Sequence, residues 1–262
     1  MLRPRKRFGQ NFLRDRHILD KIIAAAELRA GDRVFEIGPG PGALTERLLA
    51  CDVDLLAAEI DRDLAAALQA RNEPNLTVVC GDVLRLDWAD LLSQPPYTLV
   101  ANLPYNISSQ VLFQVLDHRD RFRRLVLMFQ LEVGDRLLAQ PATRDYGILS
   151  VLLQTWFRVT RVVRVPPRAF VPPPRVDSVV LLFEPLAAPA VELHDEAVYR
   201  NLVRAAFAQR RKTLRNSLLG SGWEVSVVDQ ILEQTGIDPQ RRGETLRIAE
   251  FGALANRACL PA

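Results

Sequence analysis

The stretch Val34-Phe35-Glu36-Ile37-Gly38-Pro39-Gly40-Pro41-Gly42-Ala43-Leu44-Thr45 reads as a buried strand, a glycine-rich turn and the first turn of a helix. Glycines let the chain turn tightly and let a ligand approach the backbone. Outward from it, short β-rich runs at Arg33–Ile37, Val53–Glu59, Leu76–Cys80, Tyr97–Ala101 and Arg124–Phe129 alternate with amphipathic helical runs. The helical runs are Ala43–Ala50, Asp63–Ala70, Ile107–Leu116 and Glu132–Ala139. Such alternation predicts an α/β fold, a parallel sheet with helices on both faces. Two later β-rich runs, Thr155–Val165 and Val179–Glu184, are joined by a proline-rich loop with no room for a crossover helix. The sheet is therefore expected to begin parallel and end in an antiparallel hairpin. Ile18, Leu19, Ile22 and Ile23 fall on one helical face and predict a helix before the first strand.

After Glu184, two prolines among small residues read as a linker. Beyond it the pattern is helical only, at about Asp195–Ala208, Arg210–Leu219, Val225–Thr235 and Gly243–Ala258, punctuated by Gly220, Gly222 and Gly236. The expectation is a first domain over residues 1–186 and a small all-α domain over 187–262. A chain of 262 residues with 48% hydrophobic and 25% charged residues can fill both cores and is not disordered. Cys51, Cys80 and Cys259 are odd in number and far apart, which excludes a disulfide framework and fits a reducing compartment. No Cys/His pair has metal-ligand spacing, so no metal site is expected. The longest uncharged run, Leu91 to Leu116, holds three prolines and many amides and cannot be a lipid-facing helix. The basic N-terminus lacks an apolar signal region, so the expected compartment is the cytoplasm.

Glycine loops serve dinucleotide, phosphate and adenosyl ligands alike. Here the spacing is Gly-x-Gly-x-Gly, and Glu36 sits near the end of the first strand, an awkward neighbour for a pyrophosphate. A ligand with an ammonium group and a sulfonium, such as S-adenosylmethionine, suits it better. Glu59 ends the second β-run about 20 residues on, where a carboxylate accepts from both ribose hydroxyls. Asp82 follows the third β-run, where it could accept from the exocyclic amine of an adenine.

Asn102-Leu103-Pro104-Tyr105 follows the fourth β-run. The exocyclic amine of adenine is a poor nucleophile because its lone pair is delocalised into the ring. Accepting its two N–H protons, one on the Asn102 side-chain oxygen and one on the Leu103 carbonyl, favours pyramidal nitrogen and aims the lone pair at a methylsulfonium. Pro104 fixes the turn, and Tyr105 offers a face for the base. No strong general base is needed; alignment and electrostatics supply the rate.

These residues carry a resemblance. The sequence is similar to the ribosomal RNA adenine dimethyltransferases, and most of all to the bacterial enzymes that dimethylate two adjacent adenosines near the 3′ end of small-subunit 16S ribosomal RNA. The matching pieces span nearly the whole chain: Lys6 to Leu13, Glu36 to Thr45, Asn102 to Tyr105, Phe170 to Ser178, and Phe207 to Asn216. The resemblance implies a Rossmann-like S-adenosylmethionine-dependent methyltransferase fold. It implies cofactor contacts at Gln10, Asn11, Leu13, Gly38, Gly40, Glu59, Ile60, Asp82, Val83 and Asn102. It implies that Asn102, Leu103, Pro104, Tyr105 and Phe170 hold the target base. The implied partner is small-subunit ribosomal RNA in an assembling pre-30S particle; the sequence is silent on oligomeric state, and a monomer is the default expectation.

Charge is localised. Residues 1–16 carry Arg3, Arg5, Lys6, Arg7, Arg14 and Arg16 against Asp15; residues 146–176 carry Arg158, Arg161, Arg164, Arg168 and Arg175 and no acid; residues 204–215 carry Arg204, Arg210, Arg211, Lys212 and Arg215 and no acid. Such patches suit phosphates, and Arg5, Lys6, Arg7, Arg168, Arg175, Arg210, Arg211, Lys212 and Arg215 are the expected RNA contacts. Phe170 has two readings, a platform for a flipped-out base or a core residue under the loop. Two rival functions remain open here. A nicotinamide oxidoreductase would use the glycine loop but leaves the Asn-Leu-Pro-Tyr motif unexplained. A nucleic-acid-binding assembly or transcription factor would keep the scaffold with activity secondary.

Overall fold

A computed structural model describes residues 10–259. The elements in chain order begin with strand β1 (Phe12–Leu13), helix α1 (Arg16–Ala26), β2 (Arg33–Ile37), α2 (Ala43–Leu49), β3 (Asp54–Glu59), α3 (Arg62–Gln69) and β4 (Leu76–Cys80). Next come α4 (Trp88–Leu91), β5 (Tyr97–Asn102), α5 (Ser108–Asp117), β6 (Phe122–Gln130), α6 (Leu131–Leu137), α7 (Ile148–Trp156) and β7 (Phe157–Val165). The last are β8 (Phe170–Val171), β9 (Ser178–Pro185), α8 (Glu196–Phe207), α9 (Leu214–Gly220), α10 (Val225–Thr235) and α11 (Ile248–Ala258). They fall into two compact units. One holds the residues up to Gly134 together with Arg158–Pro185; the other holds Asp135–Phe157 and the residues from Leu186 on.

The first unit is a seven-stranded sheet in the order β4-β3-β2-β5-β6-β9-β7. Pairs from β4 through β6 are parallel and β9 runs antiparallel to β6, so the sheet ends in the expected antiparallel arrangement. The central strands β2 and β5 are buried along nearly their whole length, as inner strands of a parallel sheet are. The edge strand β7 instead alternates arginines with valines and keeps its charges exposed. Helix α1 starts where the Asp15 carboxylate accepts from the His17 and Ile18 amides, and it buries Ile18, Leu19 and Ile22. In register, Ile37 lies level with Ala58 on one side and Ala101 on the other. The chain leaves β2 toward β3 and later returns to place β5 on β2's other flank. The loops after β2 and β5 therefore diverge and open a crevice at the carboxyl ends of the strands, where ligands bind in such sheets.

Two features depart from the sequence reading. First, β1 and β8 form a two-residue antiparallel pair, Phe12 with Val171 and Leu13 with Phe170, which ties the Gln-Asn-Phe-Leu segment to the start of the proline-rich loop. Second, Thr155 and Trp156, expected in a strand, close α7. The Thr155 hydroxyl bonds the Val151 carbonyl and lies 2.7 Å from the Tyr199 hydroxyl of α8. Residues 135–157, expected with the sheet, thus cluster with the helices. In that second unit α9 starts at Leu214, not at Arg210, because Thr213 caps it by accepting from the Asn216 amide. Helix α11 starts at Ile248, after a short 3-10 turn at Gly243–Thr245.

Candidate active site

The glycine loop leaves β2 with Gly38 and Gly40 at φ of 67° and 59°, the left-handed region that side chains rarely adopt. A Cβ on Gly40 would also sit 3.1 Å from the Phe12 ring. The Gly38 amide donates to the Ala58 carbonyl and the Gly40 amide to Glu59 Oε2, each at 2.9 Å, so the loop is stitched to the end of β3. Beside it lies a cavity of about 320 Å³ lined by this loop, the ends of β3, β4 and β5, and the segment Gln10–Phe12. That volume suits a small molecule.

Of the three strand-end acids, two face this cavity. Glu59 is 3% exposed; its Oε2 accepts from the Gly40 amide and its Oε1 from the Asp61 amide. Burial raises its carboxyl above the ordinary range while these two amides oppose the rise. Each oxygen keeps a second lone pair for a hydroxyl donor. Asp82 accepts from the Leu84 amide at 3.1 Å and lines the cavity with Val83. Glu36, expected opposite a cationic ligand, does not line it. It is 1% exposed and accepts from the Thr45 hydroxyl at 2.7 Å beneath the loop, and burial pushes its carboxyl up to about 8. The row pairing Glu36 with Ala57 and Val100 lies inside the sheet, two residues short of Glu59.

At the end of β5, Asn102 Nδ2 donates to the Asn11 carbonyl at 3.1 Å. A carbonyl only accepts, so this bond fixes which end of the amide is nitrogen and turns Oδ1 away from Asn11. The Leu103 side chain is buried at 1% exposure, and its carbonyl has no partner among the described residues. Tyr105 lines the cavity, and its hydroxyl lies 2.6 Å from Ser178 Oγ, a buried residue at the start of β9. Burial raises the Tyr105 phenol above its ordinary value, opposed by Ser178, so the ring stays neutral.

The cavity brings together Gln10, Asn11, Gly38, Gly40, Glu59, Ile60, Asp82, Val83, Asn102, Leu103, Pro104 and Tyr105. Leu13 and Phe170 do not line it: paired across β1 and β8, they are 5% and 2% exposed and pack in one core cluster with Ile18, Leu19 and Ile22, and Leu13 also borders a smaller hollow beside Gly38 and Asn102. Sequence reasoning missed Phe12, Asn106 and Ile107, which also line the cavity. It also missed Asp61, which caps α3 and accepts from the Gln10 side chain at 3.3 Å. Asp61 stands two residues past Glu59, the one signal that could have found it.

The expected RNA contacts divide. Arg5, Lys6 and Arg7 lie outside the described residues. Arg210 donates to the Arg144 and Tyr146 carbonyls and pairs with Glu244, and Arg215 grips Asp229 through two bonds of 2.6 and 2.9 Å. Both serve the helical unit's own structure. Arg168, Arg175, Arg211 and Lys212 are exposed. Arg158 and Arg164 meet Glu184 and Asp177, acids supplied from outside their own segment.

Residues 1–254 match the family model described as ribosomal RNA adenine dimethylase. The ribosomal RNA small subunit methyltransferase A of Syntrophotalea carbinolica is 60% identical, over 97% of this chain and 96% of its own. That of Geobacter sulfurreducens is 50% identical, over 97% and 94%. The crystal structure of a dimethyladenosine transferase from Plasmodium falciparum superposes with a TM-score of 0.80 at 30% identity, covering 93% of this chain and 95% of that one. The 23S rRNA methyltransferase ErmE superposes at 0.68 and 29% identity, covering 94% and 99%. On the full-length match and the shared sheet, the chain belongs to the ribosomal RNA adenine dimethylase family.

Proposed function

We propose that this chain uses S-adenosylmethionine to dimethylate the N6 amines of two adjacent adenosines near the 3′ end of 16S small-subunit ribosomal RNA. It does so as a cytoplasmic monomer acting on an assembling pre-30S particle. Identities of 60% and 50% to enzymes named for the small subunit, against 29% to the 23S enzyme, favour this RNA. Among the described residues no helix is long and apolar enough to cross a membrane.

The cavity fits the cofactor's chemistry. Gly38 and Gly40 leave room where a side chain would stand, Glu59 has acceptor capacity for the ribose hydroxyls, and the half-exposed Ile60 offers an apolar face to a base. Gln10, Asn11, Asp82 and Val83 complete the residues that would hold it. When bound, the cofactor supplies an electrophilic methyl group. The observation that carries the reading is the Asn102 amide, pinned by the Asn11 carbonyl beside the open Leu103 carbonyl. Asn102 Oδ1, fixed by that bond, accepts one N–H of an amine without reorganising, and the next carbonyl along the chain, that of Leu103, is the acceptor for the second. After one methylation the amine keeps one N–H and rebinds through one acceptor. Tyr105, held neutral and tethered to Ser178, presents a ring face and not a base. We assign residues 1–186 the catalytic role and 187–262, with Arg211 and Lys212, contacts to RNA.

Asn102→Ala tests the reading on small subunits lacking the modification, with tritiated cofactor and mapping of labelled bases. Turnover should fall about 10²- to 10³-fold, the usual cost of a lost oriented dipole, with cofactor affinity little changed. Wild-type turnover in the variant, or label away from paired adenosines, overturns it.

A further inference from the structure

We infer that the loop between β7 and β9, residues 166–177, carries a second RNA subsite. Val171, Pro172, Pro173 and Val176 form an apolar shelf, flanked by Arg168 and Arg175, that receives the nucleotide next to the adenosine in the cavity. The inference rests on the RNA substrate proposed above. Val171 and Val176 are 45% and 44% exposed, and Pro172 and Pro173 are exposed between them. An apolar surface left in water at a defined place marks a contact site more often than chance.

Both ends of the loop are tied to the cavity. Val171 pairs with Phe12, which lines it, and Ser178 bonds the hydroxyl of Tyr105, which also lines it. The shelf is therefore held at a fixed place beside the rim. Its charge is one-sided. The loop's single acid, Asp177, is occupied by Arg164, while Arg168 and Arg175 are exposed and have no partner among the described residues. An exposed apolar surface with two uncommitted guanidinium groups on the same loop matches one unit of a single strand. The base face lies on the shelf, and its phosphates meet the arginines bidentately. An acidic protein segment would satisfy the arginines but leaves the exposed apolar residues beside the cavity unused. Because the two target adenosines are adjacent, the nucleotide on the shelf is itself the next or the previous substrate.

Two exposed double variants test this: Arg168→Gln with Arg175→Gln, and Val171→Ser with Val176→Ser. Each is compared with wild type for binding to small subunits and to protein-free small-subunit RNA over a salt series, for methylation kinetics, and for cofactor binding by calorimetry. The arginine pair should flatten the slope of log K against log salt by about 1.4, near 0.7 for each lost phosphate contact on a single strand. The valine pair should leave that slope unchanged and raise KM for RNA about tenfold, with cofactor affinity and melting temperature unmoved in both. Wild-type slope and KM in the variants overturn the shelf. So does a deficit on intact subunits that is absent on protein-free RNA, which would assign the surface to a protein. Loss of cofactor binding in the valine pair also overturns it, since it would mark those residues as structural. A wild-type protein that methylates no small-subunit adenosine refutes the underlying function instead.

Discussion

Glu36 should make the fold weaken as pH rises, and Glu36→Gln should remove that weakness. The carboxyl is 1% exposed and has the Thr45 hydroxyl as its hydrogen-bond partner. Burial pushes it from 4.5 to about 8; the Thr45 bond opposes this, the Glu59 charge adds to it, and Arg71 opposes it. In the unfolded chain the same group titrates near its ordinary value. Between about pH 4.5 and 8 the folded protein therefore holds a proton that the unfolded chain has released. Unfolding sheds that proton, so stability falls with rising pH across the window and is level on either side. The slope is at most about 1.4 kcal/mol per pH unit, which makes a loss on the order of 3 kcal/mol between pH 5.5 and 8.5. Glutamine keeps the shape of the protonated acid, still accepts from Thr45, and does not titrate. Urea titrations of both proteins at the two pH values isolate the effect, because the titrating groups that do not interact with Glu36 cancel in the difference. The stability of the variant relative to wild type should be greater at pH 8.5 than at 5.5 by about that amount. Parallel profiles would show that Glu36 is ionised in the fold, and the assignment of its burial as dominant would be wrong.

Two other substitutions probe the cofactor side. Glu59→Gln leaves one oxygen and one NH₂ facing the Gly40 and Asp61 amides, so one buried N–H loses its acceptor and a donor replaces an acceptor in the cavity. The cost is about 1–3 kcal/mol, read as a lower melting temperature and a cofactor dissociation constant raised at least tenfold in calorimetry; equal binding would remove Glu59 from the site. Gly40→Ala places a methyl 3.1 Å from the Phe12 ring at a φ of 59°. With strain of about 1–3 kcal/mol, the expected readout is weaker cofactor binding and faster amide exchange at β1, and unaltered exchange there would mean that Phe12 gives way freely.

What the sequence made legible is what repeats locally. Buried runs of five or six residues and helical faces mark the strands and helices up to the hairpin, and Gly38, Glu59, Asp82 and Asn102, each placed at or just past a strand end, meet in the crevice there. Register was not legible. Glu36 and Glu59 both stand near strand ends, yet pairing of Glu36 with Ala57 puts one carboxylate inside the sheet and the other at its rim. Nor does charge counted along the chain show partners: Arg210 and Arg215 sit in an acid-free segment, and Glu244 and Asp229 reach them only in the fold. The pairing of β1 with β8 joins residues more than 150 positions apart and leaves no periodic trace. Yet it decides the chemistry. The group that orients Asn102 is the main-chain carbonyl of Asn11, which any residue would supply. What the sequence must specify is the seat of that carbonyl, through Phe12 against Gly40 and through Leu13 and Phe170 in the core. The packing of Leu13 and Phe170 in the core holds in place the backbone that aims the amide.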